Sequence, residues 1–159
     1  MSGPDWVARL ALELHPEGGY FRRIYTAAAT LATASGERPL ASSIYYLLDR
    51  GQPLGRLHRN RSDILHFLLD GGPVEYLLLA ADGELRRVRL NGGNRYLPVP
   101  GGCWKASQLV GGATHALVAE VVTPGFDYAD HQFCDEALLR GEHPQHVPAL
   151  RPFLAPPAG

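Results

Sequence analysis

Short apolar runs separated by turn residues dominate the hydrophobic pattern of this chain. "YFRRIYTA", "ASSIYYLL", "DILHFLL", "PVEYLLLA", "ELRRVRL", "CWKASQLV" and "HALVAEVV" are rich in aromatic and β-branched residues and bounded by Gly, Pro, Asp or Asn. Each reads as a strand. Asp82-Gly83 predicts a hairpin closed by a type I′ turn, which needs positive φ, and Gly92-Gly93, Gly101-Gly102 and Gly111-Gly112 mark further turns. One early segment differs. In "SGPDWVARLALEL" Trp6, Val7, Leu10 and Leu14 recur at helical spacing, and Pro4 fits a first helical position after a capping Ser2 or Gly3. That predicts a helix over roughly residues 4–13. "DEALLRGEHP" predicts one short helix stopped at Gly141, and "RPFLAPPAG" a Pro-rich, loosely ordered tail. So many strands with so little helix argue for an all-β antiparallel barrel or sandwich rather than βαβ units. A single domain over 1–145 is expected, followed by a tail over 146–159, with no internal repeat.

Composition narrows the partners. Charged residues are 19% of the chain and the formal net charge is −1, so electrostatics makes no case for nucleic acid or for a membrane surface. The arginines at 56, 59, 61 and at 86, 87, 89 read as solvated faces. No run approaches the ~18 apolar residues of a membrane span, and "MSGPDWVARL" lacks the apolar centre of a signal peptide. Cys103 and Cys134 share no metal-type spacing, and two cysteines make no disulfide framework; a reducing cytoplasm is the expected location.

Glu120 is the least expected residue in the late strands. It interrupts "ALVAEVV", where an unpaired buried carboxylate costs several kcal/mol, so a partner is required.

Four stretches together carry a family resemblance: "LHPEGGYFRRIY" (Leu14–Tyr25), "SSIYYLLDRG" (Ser42–Gly51), "LHRNRSDILHF" (Leu57–Phe67) and "VPGGCWKA…THALVAEVVTPGFDY" (Val99–Tyr128). The chain resembles, from about residue 5 to 140, the cupin branch called cupin 5 or domain of unknown function 985. The resemblance implies a double-stranded β-helix (a jelly-roll, RmlC-like cupin barrel), to which the pattern adds a short helix at each end, with a ligand cavity in the barrel and a homodimer. A general cupin metal motif set on His58 places Asn60, Ile64 and, from its second half, Lys105 where ligands belong. The usual cupin metal site is therefore not expected, and no cofactor is. His66 shares the strand face of Ile64 and faces the cavity if the strand is regular.

These residues suggest a metal-independent isomerase- or epimerase-like enzyme on a small polar or sugar-like substrate. His58 is the candidate base by a loose likeness to dTDP-4-dehydrorhamnose 3,5-epimerase, His66 and Glu120 are further proton-transfer groups, and Tyr25 or Tyr45 is the proton donor. Lys105 is the candidate partner of Glu120. Arg23, expected on one face with Phe21 and Tyr25, suits an anionic or carbonyl-bearing ligand; Tyr45, Asn60, Trp104 and Lys105 are further binding candidates. Glu17 is read as shaping the "HPEGG" loop, and His15, His115, His131, His143 and His146 show no constellation. Two alternatives stand beside this reading: a metal-dependent oxygenase, lyase or decarboxylase using His58, His66 and Glu120, and a non-catalytic small-molecule-binding barrel.

Overall fold

A computed structural model describes residues 4–157. Its strands, in chain order, are β1 (Glu13–Leu14), β2 (Tyr20–Thr26), β3 (Thr30–Thr33), β4 (Gly36–Pro39), β5 (Ser42–Asp49), β6 (Leu54–Asn60), β7 (Asp63–Gly71), β8 (Val74–Leu79), β9 (Leu85–Leu90), β10 (Tyr96–Val99), β11 (Trp104–Leu109), β12 (His115–Thr123) and β13 (His131–Phe133). One sheet runs β1-β2-β5-β12-β7-β10, the facing one runs β13-β6-β11-β8-β9, and β3 and β4 form a separate hairpin. Neighbours far apart in sequence, such as β2 with β5 and β5 with β12, pair antiparallel. This is the jelly-roll barrel.

Alternation explains what each face does. Tyr46, Leu48, Leu68, Tyr76, Leu78 and Val118 point between the sheets and form the central core. Their neighbours point outward and are covered as well. Leu47 and Leu117 lie beneath the N-terminal segment, packed with Trp6, Val7 and Tyr45. Leu57, Leu77, Leu79 and Trp104 lie beneath Leu139, Val147, Leu150 and Phe153. The central strands β5, β8 and β11 are therefore covered on both faces and read as nearly continuous apolar runs, whereas β7 and β10 keep one face toward solvent and alternate.

Several expectations are corrected here. The N-terminal helix α1 is only Trp6–Arg9, capped by Asp5, whose side chain accepts from the Ala8 N–H; Ser2 and Gly3 lie outside the described residues. The chain turns out at Ala11, whose φ is 50°. The β8–β9 connection is no type I′ turn. Gly83 has φ 92° while Asp82 is not among the positive-φ residues, and the Gly83 N–H donates to the Ala80 carbonyl. That is a tight turn closed by a left-handed glycine, the other common hairpin geometry.

The C-terminal segment is no loose tail. Helix α2 (Glu136–Glu142) is followed by α3 (Val147–Leu150) and a 3-10 turn, Arg151–Phe153. Val147, Leu150 and Phe153 are almost fully buried against the five-stranded sheet, so the packed unit runs well past residue 145.

Candidate functional site

The "HPEGG" turn builds the first wall of the site. Gly18 and Gly19 have φ of 94° and 78°, and a Cβ on either would strike backbone carbonyls, of Leu54 and Leu47 respectively. Only glycine lets the loop press this closely on the barrel. Tyr46 Oη fastens it by donating to the Gly18 carbonyl at 2.6 Å, and the Arg56 N–H donates to the Glu17 carbonyl at 2.6 Å. The Glu17 side chain is thereby held inside the barrel mouth, 6% exposed.

A cavity of about 120 Å³ opens there, lined by Glu17, Arg23, His58, Asn60 and Glu120 with an apolar wall that includes Ile44, Ile64 and Phe126. It is roomier than the space one water needs. Glu17 Oε2 lies 3.1 Å from His58 Nε2 and 4.0 Å from His131 Nε2. The two imidazoles are stacked, with centroids 5.2 Å apart and planes 20° from parallel. Strand pairing explains the meeting: β13 lies beside β6 with His131 opposite Asn60 and Phe133 opposite His58. His15 Nδ1 is 3.8 Å from the same carboxylate oxygen, but it accepts the Glu17 backbone N–H at 3.1 Å, which occupies its lone pair.

His58 Nδ1 lies 2.7 Å from the Arg56 carbonyl. A carbonyl only accepts, so Nδ1 carries a proton and Nε2 is the second, proton-accepting nitrogen of a neutral ring. Two lone pairs then face each other across 3.1 Å unless an electrophile lies between them. Burial disfavours charge on either partner: it pushes the Glu17 carboxyl up to about 6 against the pull of His15 and Lys105. It pushes the His58 imidazole down to about 3, with Lys105 adding to the effect. Burial, with His58 and Lys105 nearby, pushes His131 down to about 4. Among the described residues, the buried His131 Nε2 and Asn60 Oδ1 have no hydrogen-bond partner.

Behind the cavity lies a second, closed cluster. Lys105 Nζ is 2.7 Å from His66 Nε2 and 3.4 Å from Glu120 Oε1, and His66 Nδ1 donates to the Leu97 carbonyl at 3.0 Å. The register places Glu120 opposite His66 and Lys105 opposite His58. Burial alone would raise the Glu120 carboxyl, but Lys105 and His66 outweigh it and hold it below the usual carboxylate range. Burial and Lys105 both lower His66. Lys105 is thus the partner that Glu120 needed, and His66 accepts from it. Glu120 lines the cavity; His66 and Lys105 do not.

Arg23 sits at the mouth, its guanidinium 5.7 Å from the Phe126 ring centre. Three sequence candidates lie elsewhere. A β-bulge breaks the parity of β2: Arg23 pairs with Ile44 but Tyr25 with Ser43, leaving Ile24 unmatched. Tyr25 consequently leaves the face of Phe21 and Arg23 and stands 57% exposed. Tyr45 packs on the outer face with the N-terminal segment. Trp104 is in the opposite outer cluster, under the Arg59 guanidinium at 4.2 Å and donating to Glu142 at 3.2 Å. The metal set His58, His66 and Glu120 does not form either, because Lys105 fills the space that His66 and Glu120 share.

Glu17 and His131 are the residues that sequence reasoning passed over. Instead of His66 and Glu120, they bring their ligand atoms together with that of His58, all within 4.8 Å. The signals are in the sequence: "HPEGG" carries Glu17 in a glycine turn, and His131 stands three residues after "TPGFDY".

Fold and site together define a jelly-roll barrel with a carboxylate–histidine centre at its mouth. The family model described as Cupin superfamily (DUF985) matches residues 4–134, and the chain belongs to that family. It is 35% identical over 157 residues to the uncharacterized protein YML079W of Saccharomyces cerevisiae, covering 87% of this chain and 73% of that one. A hypothetical protein from Leishmania major superposes with a TM-score of 0.88 at 29% identity, covering 95% of this chain and 97% of its own. Protein SO0799 of Shewanella oneidensis does so with a TM-score of 0.86 at 28% identity, covering 99% of each chain. The usual cupin ligand positions hold Asn60, Ile64 and Lys105 here; an alkyl group and an ammonium cannot ligate a metal, so that ion-binding set is not present.

Proposed function

We propose that this chain is a small-molecule enzyme that moves a proton on a small anionic carbonyl compound held in the barrel cavity, an isomerase- or epimerase-type reaction. The observation that carries the reading is the 3.1 Å approach of Glu17 Oε2 and His58 Nε2 on the cavity wall, an arrangement that holds an electrophile ready for a substrate oxygen. Arg23 supplies the charge that anchors the anionic group. Glu120, on the same cavity and held ionised by Lys105, accepts the proton from carbon and returns it. His58 gives up the role of base because its free nitrogen is committed to Glu17.

A carboxylate stabilised in this way is a weak base, so the reaction depends on polarisation of the carbonyl. The test is deuterium wash-in, followed by proton NMR, for a panel of small 2-oxo and 3-hydroxy-2-oxo carboxylates in heavy water. Exchange at the carbon beside the carbonyl, abolished in Glu120→Gln, is the expected result. Saturable binding of those acids with no exchange would make the chain a binding barrel and overturn the reading.

Pairing of two chains is part of the same proposal. The edge strand β1 has only two residues and leaves Leu14 64% exposed, and light scattering at micromolar concentration should give the mass of two chains rather than one.

A further inference from the structure

We propose that the electrophile between Glu17 and His58 is a divalent transition-metal ion, and that His131 is its third protein ligand. This rests on the cavity reading above and names the cofactor of that site. It uses only one position of the family's usual metal motif, His58; Glu17 comes from the turn before β2 and His131 from β13.

Counting donors decides between a metal and a proton. One proton suffices for the 3.1 Å contact between Glu17 Oε2 and His58 Nε2. It does nothing for His131 Nε2, which is buried, unpartnered and turned toward the same oxygen at 4.0 Å. An ion between the three satisfies all of them at once. Ligand atoms on a tetrahedral zinc-type ion with bonds of ~2.1 Å stand about 3.4 Å apart, a value between the 3.1 and 4.0 Å that Glu17 Oε2 keeps from the two imidazoles. Two imidazoles and one carboxylate are a common donor set for such ions and leave a coordination position open.

The supporting shell is also in place. His58 Nδ1 donates to the Arg56 carbonyl at 2.7 Å, the contact that orients a ligating histidine and presents its other nitrogen. Asn60 Oδ1, unpartnered and buried, lies opposite His131 in the β6–β13 register and lines the same cavity, where it is placed to accept from a metal-bound water. The Lys105 ammonium opposes metal binding, and it is neutralised by Glu120 at 3.4 Å.

The experiment titrates chelator-treated, tag-free protein with Co²⁺ and with Zn²⁺, read by calorimetry and, for Co²⁺, by visible absorption. One ion per chain is expected, with the d–d bands of a low-coordinate Co²⁺ site. His131→Ala and Glu17→Gln should each weaken binding at least ~100-fold, the scale at which even supporting contacts matter. Circular dichroism melts of the metal-free variants show whether they remain folded, and His131→Gln is the fallback if His131→Ala does not. Binding that is absent below millimolar metal, or unchanged in a folded His131 variant, overturns the inference. Deuterium wash-in without metal binding would leave a shared proton as the electrophile, so the inference would fall and the function stand. Metal binding without wash-in would do the reverse.

Discussion

Lys105 shows how one side chain sets the character of the interior. Its ammonium is 5% exposed and touches both His66 and Glu120, so the three residues stand or fall together. Lys105→Met removes the cation and leaves a buried carboxylate without its partner, which should cost ~3–5 kcal/mol of stability in urea unfolding at neutral pH. Lys105→Met combined with Glu120→Leu should recover most of that loss, because no buried charge remains. A double variant as unstable as the single one would show that the ion pair is not the cause. The Glu120 carboxyl is held below its ordinary value of 4.5, so its stabilising effect is complete above that value and fades as pH falls through the depressed one. The stability gap between wild type and Glu120→Gln should therefore be widest near neutrality and narrow in acid.

The residue scale is also where sequence reading was weakest. Tyr45 and Tyr46 are neighbours, as are Trp104 and Lys105, and alternation sends one of each pair inward and the other outward. When both faces of a strand are covered, both residues are at least partly buried, and composition cannot say which one reaches the cavity. Glu120 was legible because a carboxylate in an apolar strand demands a partner. Glu17 and His131 were not, because their meeting depends on how a loop and a three-residue strand fold back onto β6.

At the scale of elements, two local irregularities redirect function. The bulge at Ile24 ends the regular parity of β2 just after Arg23, so Arg23 reaches the cavity while Tyr25 leaves it. No periodic pattern foretells an inserted residue. The C-terminal segment was misread for a different reason: its prolines suit a tail, yet they sit at the first turns of short helices, where a missing N–H costs nothing. Phe153 closes the outer cluster at 3% exposure. Phe153→Ala should destabilise by ~3–5 kcal/mol, whereas Leu31→Ala on the exposed β3–β4 hairpin should stay within about 0.5 kcal/mol. Thermal or urea unfolding of the two variants checks this, and equal small effects would mean the segment is dispensable.

Over the whole molecule, the jelly roll was readable from strand density and turn signals, and the family blocks agreed with it. No helix among the described residues is long and apolar enough to cross a membrane. The cavity is foreseen as a place, and the titratable groups on it include Glu17, His58 and Glu120, with His131 beside Glu17 and His66 set back against Lys105. Arg23 gives the cavity its external charge, and Arg23→Gln should weaken small carboxylate binding by roughly 10-fold or more, the scale of one lost charge-assisted contact. Calorimetry with the same carboxylate panel checks it; unchanged affinity would place the anion elsewhere.

The proposed function depends on an electrophile shared between Glu17 and His58, which approach to 3.1 Å. Long-range ¹⁵N–¹H correlation spectra of histidine-labelled protein read that contact directly. The expected spectrum has His58 Nδ1 bearing a proton and Nε2 shifted by a shared proton or by a ligated diamagnetic Zn²⁺, with the shift lost in Glu17→Gln. A His58 carrying its only proton on Nε2, with Nδ1 bare and no response to Glu17→Gln, would contradict the account.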